Sequence, residues 1–338
     1  MAKPAWVAIL LLFLGSFMGG DNLIFVPDLA GRNGNSLFPQ IMLAYLVTGS
    51  VVYGLAAWLG SYKGLPLDQL CKVYWGERGL RSQAVISLMV AIPACALTGG
   101  YFAGLLLEKL WGVEWSSGAL LSLGLALGLA CAGTNGCVKK TGIIFSLTVV
   151  AVIMVLAGVS AVSFHHQPVR GPFENLLWPT VAVMVAFNSG GIMPQLVTEV
   201  AARYYGDVKV AVTVAMGAKI IEGVLTGALA WSVVRQGAGG PAAVVELVQL
   251  MAGDRAGLIW GLLVYAALVV FLAPILAACA IQMGNLLGSN TLTGYSASLL
   301  LILGGLILGR NFLILVMTAG VWAGPLMLIL LWFKVRLG

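Results

Sequence analysis

The sequence predicts an all-α integral membrane protein: ten transmembrane helices in a 5+5 inverted repeat, with the first and sixth helices broken at the membrane midplane. Three observations predict it. The chain is 60% hydrophobic and only 9% charged, with a mean hydropathy of +1.01, too apolar for a soluble domain of 338 residues. Ten apolar segments are each long enough to cross about 30 Å of hydrocarbon. Two of these, at equivalent places in the two halves of the chain, carry helix-breaking polar runs at mid-depth.

The spans run over about 4–31, 36–60, 83–110, 116–135 and 142–163 in a first half of residues 1–165. In the second half, 166–338, they run over about 174–202, 208–234, 256–284, 294–309 and 312–333. A lone Lys3 precedes the first apolar run, which continues far past the core of a cleavable leader, so this run is expected to stay as span 1. The 44 glycines suit closely packed helices, because small residues let backbones approach in lipid. Cys71, Cys95, Cys131, Cys137 and Cys279 show no metal-ligand spacing and fall in apolar runs or loops placed in the cytoplasm, so they are expected to be reduced.

The formal charge of +6 matters through its distribution. With the N-terminus inside, the cytoplasmic segments hold Lys3, Lys63, Lys72, Arg78, Arg81, Lys139, Lys140, Arg203, Lys209, Lys334 and Arg336. The opposite side holds Arg32, Lys109, Arg170, Arg235, Arg255 and Arg310. The excess places both termini in the cytoplasm, in a cell inner membrane. Lipid is the expected surroundings, and no nucleic-acid partner or cofactor is expected. The oligomeric state is open.

The first break lies in Phe17-Met18-Gly19-Gly20-Asp21-Asn22, followed by Leu23 to Pro27. Paired glycines weaken a helix, and Asp-Asn competes for its backbone hydrogen bonds. The second lies in Phe187-Asn188-Ser189-Gly190-Gly191-Ile192-Met193-Pro194-Gln195, in the first span of the second half. Five spans per half put the halves in opposite orientation, and a midplane site between two such breaks is where transporters bind substrate and ions. Lys219, Glu222, Asp21 and Glu199 remain at membrane depth. Buried ionisable groups there cost about 2.5–3.5 kcal/mol each and seek partners. Lys219 and Glu222, three residues apart, share a helical face on which they can pair, either structurally or functionally.

Several runs carry a resemblance. Asn22, Phe25-Val26-Pro27 and Arg32-Asn33-Gly34 ahead of span 2 are similar to the first helix of the neurotransmitter:sodium symporter family, of the amino acid-polyamine-cation superfamily. Val138-Lys139-Lys140-Thr141-Gly142 entering span 5, Asp207-Val208 opening span 7, and the segment from Gly240 to Met251 also resemble it. The resemblance implies a LeuT-type fold, with substrate between spans 1, 3, 6 and 8 and two sodium sites. It places Asn22, and Asn188 or Ser189, on ligands of the first sodium, and Lys219 on the asparagine completing that site. Leu276 and Ala277 fall on the hydroxyl ligands of the second sodium and cannot replace them. Phe25 stands for an outer-gate arginine, and Asp21 for a glycine near the substrate carboxylate. Gly19, Gly20 and Gly190 supply backbone around the substrate, Tyr101 falls near a substrate-binding tyrosine, and Met193 takes the place of the aromatic that covers the substrate. The family's two further C-terminal helices have no counterpart in these 338 residues.

The expected activity is secondary active transport, by alternating access, of a small amino acid or related amine or zwitterion. Lys219 stands in for the first sodium, paired with Asp21 and Glu222, and protonation of that cluster is the candidate coupling step. Whether Asp21 pairs with Lys219 or binds an amine directly is open. A divalent-metal transporter is the rival: Asp21, Asn22 and Met193-Pro194 are similar to the metal-binding runs of NRAMP-type proteins, although Gln195 stands where those have histidine. A non-transporting membrane receptor of the same fold is the second rival. No enzyme is expected, since there is no nucleotide loop or nucleophile motif, and His165-His166 lack a third ligand at metal spacing.

Overall fold

The computed structural model describes residues 22, 25–33, 38–132, 193–203, 206–238 and 242–337. Among the described residues there is no strand, and the chain runs through α1 (Val26–Asn33), α2 (Phe38–Ile41, a π-helical stretch Met42–Gly49, then Ser50–Lys63), α3 (Leu67–Trp111) and α4 (Trp115–Ala132). It continues through α5 (Met193–Ala202), α6 (Val208–Gln236), α7 (Ala243–Ala252), α8 (Asp254–Leu287), α9 (Thr291–Leu308) and α10 (Arg310–Leu337). Every expected span except the fifth has described residues. The expected breaks fall largely outside them, including Gly19, Gly20, Asp21, Asn188, Ser189 and Gly190. Five described helices are long and apolar enough to cross a membrane, and the molecule is a multi-pass membrane protein.

Helix ends follow local chemistry. Gly64, Gly112, Gly237 and Gly288 close α2, α3, α6 and α8 at φ of 68°, 68°, 68° and 63°, a left-handed turn that costs glycine nothing. Asn290 caps α9 by accepting a 2.9 Å bond from the Thr293 N–H. The third span departs from expectation, because its helix begins at Leu67 rather than near residue 83. Gly76, at φ 67° and ψ −160°, splits off residues 67–75 as a separate helical arm. Glu77, Arg78 and Arg81 interrupt the apolar run and suggested a loop, yet they ride as exposed residues on the helix that follows. Further along, Pro93 lacks the N–H that a regular helix needs, and α3 widens into a π-helical stretch over Ala96–Phe102.

Two apolar cores fill the bundle. The larger gathers Val26, Tyr45, Phe102, Leu229, Val245 and Leu272 with their neighbours, from α1 to α4 and α6 to α10. The smaller gathers Tyr53, Leu70, Val197, Ala215 and Leu331, from α2, α3, α5, α6 and α10. Thus α2, α3, α6 and α10 each pass from one core to the other. On α6 the change falls between Ala218 and Leu225. Small residues set the closest approaches: a Cβ on Gly60 would lie 2.3 Å from the Thr198 carbonyl oxygen, so α2 and α5 meet backbone to backbone. On α9 and α10 large apolar side chains such as Leu300, Ile307 and Leu315 stand exposed, the surface such a protein presents to lipid.

Candidate functional site

On α6, Glu222, Gly223 and Thr226 follow Lys219 by three, four and seven residues, which places all four on one face. The Lys219 ammonium donates to Glu222 Oε2 at 2.8 Å, and each residue is 1% exposed. The other carboxylate oxygen, Glu222 Oε1, accepts from Asn22 Nδ2 at 2.8 Å. A carboxylate only accepts, so this bond fixes the orientation of the Asn22 amide. Asn22 Oδ1 then accepts from the Tyr45 hydroxyl at 2.5 Å and from the Thr226 hydroxyl at 2.8 Å. The network joins span 1, α2 and α6 through residues that are all buried.

The lysine head is also held from the side. Tyr45, Gly49 and Tyr53 recur every four residues along α2, and Lys219 Nζ lies 4.9 Å from the ring centre of Tyr45 and 4.7 Å from that of Tyr53. Between the rings the backbone is bare: a Cβ on Gly49 would come 3.0 Å from Lys219 Cε and 2.8 Å from the Ala44 carbonyl oxygen. The lysine stem therefore lies across glycine, in the π-helical stretch of α2. Taking both charges out of water costs several kcal/mol per ion, and only good geometry with satisfied lone pairs offsets it. Here the carboxylate receives a bond on each oxygen, and the ammonium has a carboxylate and two ring faces.

Of the residues the sequence singled out, Asn22, Lys219 and Glu222 come together. Met193 opens α5 and packs against both apolar cores, outside the hydrogen-bond network. Tyr101 lies in the π-helical stretch of α3 with its ring 5.9 Å from that of Trp115, and no bond of the network involves it. Phe25 packs edge-on against Phe102 at 5.8 Å, an apolar contact where the resembled family has a charged gate. Leu276 and Ala277 are buried in the larger core. Cys71, Cys95, Cys131 and Cys279 are free thiols, and Cys137 lies outside the described residues. Glu199 corrects the reading at membrane depth: it is exposed near the end of α5 and pairs with Arg203 at 3.4 Å, so it needs no interior partner.

Sequence reasoning missed Tyr45, Tyr53 and Thr226. Thr226 carried a signal, since it lies seven residues beyond Lys219. The four-residue rhythm of Tyr45, Gly49 and Tyr53 was also visible, but a helix apolar nearly all round does not tell which face it would present. Asp28, absent from the charge accounting, is fully buried in the first turn of α1, where the helix dipole favours an acid. Among the described residues, no group of three His, Cys, Asp or Glu side chains could hold a metal ion.

No protein-family profile matches the chain, and no curated protein matches its sequence. Solved structures do resemble it. MhsT in complex with L-phenylalanine superposes with a TM-score of 0.70 at 14% identity, over 97% of this chain and 88% of that one. Mhp1, a nucleobase-cation-symport-1 family transporter with bromovinylhydantoin bound, gives 0.63 at 11% identity, over 88% and 70%. The Eremococcus coleocola manganese transporter, in complex with an aromatic bis-isothiourea substituted compound, gives 0.61 at 13% identity, over 95% and 77%. At these identities the likeness is one of architecture, and the chain is an all-α, multi-pass membrane protein of the LeuT-type fold.

Proposed function

We propose that the protein is a secondary active transporter that moves a small amino acid or related amine or zwitterion by alternating access, without sodium at its first ion position. The observation that carries this reading is the buried ammonium of Lys219, bonded to Glu222 and through it to Asn22. A fixed cation in such a place repels a second one, and the Asn22 oxygen already accepts two hydroxyl bonds. The fold shared with MhsT and Mhp1 supports transport as the activity. Proton transfer within the Lys219–Glu222 cluster, with Asp21 as a further partner, is the coupling step of this proposal. Its frame is two inverted five-helix halves, 1–165 and 166–338, in a cell inner membrane with both termini inside.

The similarity to a manganese transporter makes metal transport the second reading. Against it stands the engagement of Asn22: a divalent ion would have to displace both hydroxyl donors and sit near an ammonium. The test is uptake into proteoliposomes with sodium absent. Accumulation of substrate without sodium, lost or stripped of its pH dependence in Lys219→Ala, is the expected result. A strict sodium requirement overturns the reading, manganese uptake favours the metal alternative, and binding without accumulation identifies a receptor.

A further inference from the structure

A second polar cluster lies on different helices from the first. Gln83 on α3, Gln195 on α5 and Gln282 on α8 meet through one acceptor: Gln195 Oε1 receives Gln83 Nε2 at 3.2 Å and Gln282 Nε2 at 2.5 Å. Gln83 Nε2 also donates to Ser87 Oγ at 3.0 Å. Gln83 and Gln282 are completely buried, and the carbonyl oxygen of each lacks a donor among the described residues. An unmet buried acceptor costs about 1–3 kcal/mol. Here two occur on amides bonded to the same oxygen. Gln83 is two turns beyond the Gly76 kink, and Gln282 is just over a turn before the end of α8, so both lie toward the end of the bundle that carries the α2–α3 and α8–α9 turns. Gln195 is the third residue of α5.

We propose that Gln83, Gln195 and Gln282 form a second binding station, which takes the ammonium group of an amine or amino-acid substrate on the free carbonyl oxygens of Gln83 and Gln282. An ammonium brings three donors and no acceptor, which suits two neutral oxygens short of donors. A carboxylate would face those oxygens with like partial charge. A divalent cation also accepts amide carbonyl oxygens, but it needs carboxylates to offset its charge, and this cluster has none. The identity of the arriving group rests on the transporter reading; the station itself rests on the three amides.

The experiment is a thermal-unfolding titration of the purified full-length chain with methylammonium chloride, against tetramethylammonium chloride, sodium chloride and sodium acetate at matched ionic strength. The expected result is an upward Tm shift with methylammonium alone, lost in Gln83→Leu/Gln282→Leu. Should that double variant fail to fold, Gln83→Met alone removes one of the two acceptors, and its methylammonium shift is expected to fall below that of the wild type. An equal shift with tetramethylammonium or sodium overturns the proposal, because the group then needs no N–H donor. A shift with acetate instead overturns it by showing the three amides reversed, with N–H groups presented. An unchanged methylammonium shift in the leucine variant, or none in the wild type, also overturns it. Binding is read without transport, so sodium-dependent uptake would sink the transporter mechanism and leave this result standing.

Discussion

The Lys219 ammonium and the Glu222 carboxylate meet at 2.8 Å, one helical turn apart, at the point where α6 leaves one apolar core and enters the other. Removing one member strands the other charge in a dry interior. Lys219→Met or Glu222→Gln alone is expected to destabilise by about 3–5 kcal/mol. The double variant recovers much of that loss, since it leaves no unpaired charge. Thermal unfolding of the four proteins in detergent measures the cycle, and strictly additive losses would show that the pair is not coupled.

Tyr45 and Thr226 share one acceptor, Asn22 Oδ1. Tyr45→Phe and Thr226→Val are each expected to cost about 1 kcal/mol, and the double variant more than their sum, because only then does the buried oxygen lose both of these hydroxyl bonds. Denaturation midpoints of the two singles and the double check this.

Gly223 admits Tyr45. A Cβ at this position would lie 2.6 Å from the Tyr45 Cβ and 3.2 Å from Leu46 Cδ2. Gly223→Ala is therefore expected to push α2 off α6, cost about 1–3 kcal/mol, and lower substrate uptake. Gly227→Ala, one turn along, meets nothing within 4 Å among the described residues and serves as the control.

Cys71 is fully buried in the helical arm before Gly76, where its thiol is shielded from a reagent in solution. Maleimide should leave Cys71 unlabelled in the folded protein at pH 8 and label it after unfolding. Mass spectrometry of the Cys71 peptide reads the outcome.

Among the described residues the positions of spans 2, 4, 7, 8, 9 and 10 were legible because apolar runs act locally. The Lys219–Glu222 contact was legible for the same reason, being a three-residue step on one helix. Tyr45 and Tyr53 were not, because α2 is apolar nearly all round and its sequence does not say which side meets α6. Glu199 was misplaced because an apolar count carried the sixth span past residue 199, whereas α5 brings that residue out beside Arg203. The glutamine cluster was the least legible: Gln83 and Gln195 are 112 residues apart and Gln195 and Gln282 are 87 apart, and no local rhythm links them.

On α2 and α6 the joint between the two apolar cores coincides with the buried polar network, so the passage from one core to the other is made at hydrogen bonds and a charge pair rather than at apolar contacts. A stiff rod gripped at both ends transmits rotation without stretching. On α6 the joint holds Lys219 and Glu222, so any rotation of one core against the other would act on their electrostatic contact.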